Sequence, residues 1–197
     1  MSIVDRAQLL RVSFVGPLDA SWSEVDLVAL FDNQSVGVGE LVSLNVAIAT
    51  AVGATGSIAD LAANEHLGMS VYKLRDSTPG DVTRGDPENV DFVHEFIDPM
   101  AGYYWEKPTN IQADAILNVG TSAATPAITT LFEDGWNVQI PYQKVWLPEE
   151  RPSWIFHEAG TTSTNEEALL WRIDGTPSVD TSIRGSLVYR YVPISWD

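Results

Sequence analysis

The chain has 197 residues, 45% of them hydrophobic and none of them cysteine, and 27 acidic against 11 basic side chains leave a formal charge of −16. A chain this long buries roughly 70% of its unfolded surface, so it folds without a disulfide or metal staple, and the missing thiols exclude Cys-ligated zinc and a cysteine nucleophile. No cluster of Lys and Arg is present to neutralise phosphates, which excludes direct nucleic-acid binding, and no stretch has the roughly 20 apolar residues of a membrane-spanning helix.

The N-terminal segment MSIVDRAQLLRVSF carries two arginines but neither a basic arm nor the apolar core of a signal peptide. Strand patterns follow at 9–15 and 25–31. Residues 40–50 show the clearest period of two, with Val42, Leu44, Val46 and Ile48 on one side and Ser43, Asn45 and Ala47 on the other. Residues 57–67, SIADLAANEHL, read as a short helix with Ser57 as its N-cap. Further strands are expected at 69–75, 90–97, 111–119, 127–133, 136–147, 153–158, 168–174 and 185–194.

Turn signals divide these runs at Asp32-Asn33, Pro79-Gly80, Asp134-Gly135 and Asp174-Gly175, and Pro141 marks an edge strand or a bulge. Many short strands at this spacing predict an all-β sandwich or barrel rather than alternating βαβ units. No linker or shift in composition divides the chain, so residues 1–197 read as one domain. Near the C-terminus Leu187, Tyr189 and Tyr191 alternate with Val188, Arg190 and Val192, so both faces carry substantial side chains. A strand of that kind belongs inside a sheet or a subunit contact, and its removal is expected to disrupt folding.

The charge lies outside the range of about 2–8 common for small soluble domains. Such self-repulsion costs stability in dilute buffer, whereas in roughly 1 M salt the Debye length falls to about 3 Å and the repulsion is nearly screened out. Only three of the basic residues are lysines (Lys73, Lys107 and Lys144) against eight arginines, and aspartates outnumber glutamates fifteen to twelve. This balance looks like the adaptation of haloarchaeal proteins, whose carboxylates keep the surface hydrated in brine.

Residues 76–91, DSTPGDVTRGDPENVD, place four aspartates five residues apart around an Arg-Gly-Asp tripeptide. A calcium EF-hand needs ligands at alternate positions, Gly at the sixth and Glu at the twelfth, so the stretch reads as a solvated acidic loop between two strands. His66, His94 and His157 sit on separate elements without an H-E-x-x-H helix, and each reads as structural or surface. There is no G-x-S-x-G elbow, no S-x-x-K and no phosphate loop; VGVGEL offers two glycines without the remaining pattern. No catalytic, metal or cofactor residue is assigned. The strongest enzymatic alternative is a glycosidase carboxylate pair drawn from Glu95, Glu106, Glu133 and Glu158, with some of the seven tryptophans stacking sugar; noncatalytic sugar binding stands beside it.

A short β-rich chain without a leader, an acidic surface with scarce lysine, and a closing strand run in RGSLVYRYVPI together resemble the single-jelly-roll major capsid proteins of tailless icosahedral haloarchaeal viruses with an internal membrane. The resemblance implies an all-β, eight-stranded jelly roll. It further implies assembly with copies of itself and a second, related capsid protein into pseudo-hexameric capsomers, outside a membrane that the chain does not span. No catalytic residue or cofactor comes with this family. Tyr103, Tyr104, Trp105 and Trp196 are the candidate subunit contacts.

Overall fold

Period-two alternation across most of the chain gives strands, and eleven are present among the described residues. They are β1 (Gln8–Leu18), β2 (Glu24–Asp32), β3 (Gly37–Ala49), β4 (His66–Arg75), β5 (Asp91–Phe96), β6 (Ile111–Leu117), β7 (Ala127–Asn137), β8 (Tyr142–Val145), β9 (Ser153–Phe156), β10 (Glu167–Asp174) and β11 (Thr181–Pro193). The computed structural model describes residues 8–21, 24–32, 37–49, 64–75, 91–96, 111–117, 127–156 and 167–193.

The strands form two antiparallel sheets. The first runs β5-β1-β11-β3-β8, with β9 continuing beside β3, and the second runs β6-β2-β10-β4-β7. β1 and β3 lie in the first sheet and β2 and β4 in the second. The returning strands then interleave, β10 entering between β2 and β4 and β11 between β1 and β3. A ribbon folded back between its own strands in this way is a jelly roll, so the fold is an all-β, two-sheet jelly-roll sandwich. β5 and β6, which fall between β4 and β7 in sequence, widen the two sheets beside β1 and β2.

The core lies between the sheets. Trp136, Trp154, Trp171 and Tyr189 are its largest fully buried side chains, and Phe14 of the first sheet meets Trp171 of the second edge-to-face at 5.7 Å between centroids. Burying each such ring removes a large apolar area from water and fixes the spacing of the sheets. β11 is central, in register with β1 on one side and β3 on the other, as its two-faced alternation predicts.

Three expectations are corrected. The helix at 57–67 gives way at its end to strand: His66 and Leu67 open β4, and Leu67 is buried opposite Trp136, while residues 57–63 lie outside the described residues. Pairing with β7 outweighs the local helical pattern there. Asp134-Gly135 is no turn, because β7 runs through it to Asn137. The reversal falls at 138–141, where the Asn137 side chain accepts the Gln139 N–H at 3.0 Å and Pro141 ends the bend just before the edge strand β8. Finally, Val42 does not share a face with Leu44, Val46 and Ile48. The β3–β11 register slips between Val188 and Tyr189, so Leu41 takes the buried position and Val42 is the extra residue of a bulge.

Candidate functional site

The same alternation that buries Leu44, Val46, Leu187 and Tyr189 turns Ser43, Asn45, Ser186 and Val188 onto the outer face of the first sheet. Cross-strand register arranges that face in rows. Ser13, Ser186, Asn45 and Gln143 line up across β1, β11, β3 and β8, and Asn45 Nδ2 donates to Ser186 Oγ at 2.8 Å. Around this row lies a shallow depression of about 550 Å³, with Arg184 and Pro141 on its border. It offers uncharged hydrogen-bonding groups and one guanidinium.

β8 and β9 together line one edge of β3. β8 pairs with residues 43–46 and β9 with residues 37–40, and Leu147–Arg151 loops out between them. Two bonds pin the base of this excursion at the β3 bulge: Trp146 N–H donates to Val42 C=O at 3.0 Å, and Leu41 N–H donates to Pro152 C=O at 2.9 Å. Glu40 anchors it electrostatically, accepting from Arg190 Nη1 at 3.1 Å while Arg151 Nη1 stands 3.6 Å away. One carboxylate thus ties β3, β11 and the excursion together across the outer face.

A second tie joins the two sheets at this edge. Tyr142 Oη donates to Asp134 Oδ2 at 2.7 Å, and the Gly135 N–H donates to Asp134 Oδ1 at 2.8 Å. The tyrosine bond first, then the backbone bond, hold the Asp134 carboxyl below the ordinary aspartate range. Burial, and then the same bond, push the Tyr142 phenol well above its ordinary value. A lowered carboxyl contributes stability that is whole above its unfolded pKa of about 3.9 and is lost as pH falls through the native value. A raised phenol contributes stability that is whole below about pH 10 and is lost as pH rises further. Tyr142→Phe is therefore expected to cost about 1 kcal/mol or less between roughly pH 5 and 9, the exposed carboxylate keeping the effect small. The gap to wild type should close below about pH 4 and above about pH 10, and denaturant unfolding across that range measures it. A gap independent of pH would mean that the two groups do not titrate together.

The residues singled out from sequence fall as follows. Tyr103, Tyr104, Trp105 and Trp196 lie outside the described residues, as do residues 76–90 of the acidic loop; Asp91 opens β5. Trp136, Trp146, Trp154 and Trp171 are at most 6% exposed, which removes these four from any sugar-stacking platform. Among the proposed glycosidase carboxylates, Glu133 is exposed on β7, position 95 lies on β5, and positions 106 and 158 lie outside the described residues. His66 is exposed, with its Nδ1 2.7 Å from Asn64 O; position 94 is on β5 and position 157 lies outside the described residues. Among the described residues no group of three or more His, Asp or Glu side chains converges on a point that could hold a metal ion.

The paired glycines of VGVGEL, Gly37 and Gly39, serve packing: a Cβ at Gly37 would strike the Tyr191 ring and one at Gly39 the Trp154 ring. No helix among the described residues is long and apolar enough to cross a membrane. No known protein family and no curated protein matches the sequence.

Proposed function

We propose that this chain is a structural subunit of a viral capsid adapted to high salt: a jelly-roll major capsid protein of a halophilic archaeal virus. In this reading it assembles with copies of itself and a second related chain into pseudo-hexameric capsomers of an icosahedral shell, standing over an internal membrane without spanning it. It binds no nucleic acid directly and catalyses no reaction. The observation that carries the reading is the interleaved strand order of the two sheets, found in a chain of charge −16 with only three lysines. A fold alone leaves function open. Here the fold is joined by a surface built for brine and by a depression lined with contact-forming groups rather than reactive ones.

Analytical ultracentrifugation of the purified chain in several molar salt tests the reading. Concentration-dependent oligomers larger than a dimer, seen as rings by electron microscopy, are the expected result, because closed rings are built from heterologous contacts. A monomer at every concentration that binds or cleaves polysaccharide would instead assign the chain to the sugar-binding sandwiches.

A further inference from the structure

One end of the sandwich is closed by the β10–β11 connection, residues 175–180. It begins at Gly175, whose φ of 110° lies in the region that favours glycine and which stands against the Leu67 side chain. It ends where Thr181 opens β11. Between these points Pro177 is buried, and Val179 packs partly buried against the core cluster. The connection is a strap laid over the end of the core rather than a loop held out in solvent.

Carboxylates, not a strand ladder, hold the strap down. Glu65 Oε1 accepts the Ser178 N–H at 2.7 Å, and Glu65 Oε2 accepts the Ser178 hydroxyl at 2.6 Å. Farther along, Asp180 Oδ1 accepts the Ala20 N–H at 2.8 Å, which ties the strap to the turn after β1. The Glu65 backbone oxygen also takes the Val138 N–H at 3.1 Å, so this latch is itself fixed to the β7–β8 reversal. Bonds to a carboxylate are of the stronger kind, but Ser178 and Asp180 are exposed and water competes for them. Beneath the strap a cost acts the other way. Thr181 alternates with Ile183 onto the inner face and is 1% exposed, and its Oγ1 has no hydrogen-bond partner among the described residues. A buried hydroxyl without a partner carries the penalty of leaving water, and that penalty is recovered once the strap lifts.

We propose that the strap is a releasable lid: residues 175–180 open as one unit, together with the turn at 19–21, while both sheets stay paired. The latches at Glu65 and Asp180 and the packing of Pro177 and Val179 favour the closed state, and hydration of the Thr181 hydroxyl favours the open one. Opening uncovers Leu67 and the apolar side of Val179, surface that the closed molecule hides. Such a balance sets where the molecule yields first, at this end rather than across the ladders of the sheets. The lid works within one chain and is independent of the capsid reading.

Native-state hydrogen exchange, followed residue by residue by nuclear magnetic resonance, tests the lid. Ala20 is the informative amide, because its N–H is held by Asp180 and not by Glu65; Ser178 reports the latch, and Leu187 reports the central strand β11. Glu65→Ala is expected to speed exchange roughly tenfold at both Ser178 and Ala20 and to leave Leu187 unchanged. Glu65→Gln, which keeps an acceptor for the Ser178 N–H, should restore most of the protection. Thr181→Val removes the buried hydroxyl at nearly constant volume and should slow exchange at Ser178 and Ala20, again roughly tenfold. Glu65→Ala acting on Ser178 alone would overturn the lid, since strap and turn would then move separately. Acceleration of Leu187 in step would overturn it too, because opening would then require the sheets to part. Faster exchange in Thr181→Val would show a hydroxyl that is paired when closed, and the strap would be a fixed closure rather than a poised one.

Discussion

A chain ending at Arg184 is expected to yield no soluble folded protein. The deletion takes residues 185–193 from β11, which is bonded to β1 along one side and to β3 along the other. It withdraws Leu187, Tyr189 and Tyr191, each at most 3% exposed, from the core. At about 1.5–3 kcal/mol for each large buried side chain, these three alone approach the whole stability of about 5–15 kcal/mol typical of a domain. The backbone adds to the loss: β1 and β3 would each face an empty ladder, with buried N–H and C=O groups left without partners. Expression in high salt, followed by the soluble fraction and tryptophan fluorescence, measures the outcome. A truncated chain that remains soluble and unfolds cooperatively would show that the first sheet closes without its central strand.

What the sequence discloses about this fold divides along a physical line. Alternation is local, so the strand at 185–194 and its two-sided character could be read directly; the structure extends it back to Thr181. Register is not local. The bulge that displaces Val42 exists because β3 must follow β11, more than a hundred residues away, and nothing in ELVSLNVAIAT marks the slip. The Asp134-Gly135 pair carries a turn signature, yet pairing with β4 keeps β7 extended through it. The signal that locates the true reversal is Asn137 followed by Pro141, a side-chain-capped bend.

The outer face was less legible still. Glu40 and Arg190 are 150 positions apart in the chain, and only the neighbouring strands bring them to 3.1 Å. The run YQKVWL places an apolar residue on each side of a strand, Trp146 on one and Val145 and Leu147 on the other, yet only Trp146 is buried, whereas Val145 and Leu147 are exposed. A strand at a sheet edge and a strand within a sheet can share one hydrophobic pattern, and only the count of its neighbours separates them. Residue type alone points to aromatic contacts at Tyr103, Tyr104, Trp105 and Trp196. The exposed apolar groups of this edge are aliphatic, and type alone does not single them out.

Gly185→Val is expected to destabilise the protein by about 3 kcal/mol, a fall in Tm of roughly 6–12 °C for a chain of this size. Gly185 stands in the middle of β11 between Phe14 of β1 and Val46 of β3, and it points into the sandwich. A Cβ there would lie 2.6 Å from Phe14 Cζ and 2.8 Å from the backbone oxygen of Asn45, both closer than carbon contacts allow. The oxygen belongs to the β3 ladder and cannot retreat without breaking register. The phenyl ring cannot retreat either, because its other side meets Trp171 of the opposing sheet at 5.7 Å. One added side chain is thus transmitted from β11 through Phe14 to the second sheet, which is how a close-packed interior responds to excess volume. Phe14→Ala in the same chain should restore part of the loss, since it opens the space that valine needs, and the double variant should be more stable than the sum of its single effects. Thermal unfolding of the four chains gives the coupling. Additive losses would mean that Gly185 and Phe14 do not share one space, and the packing that joins the two sheets at this point would then have to be different.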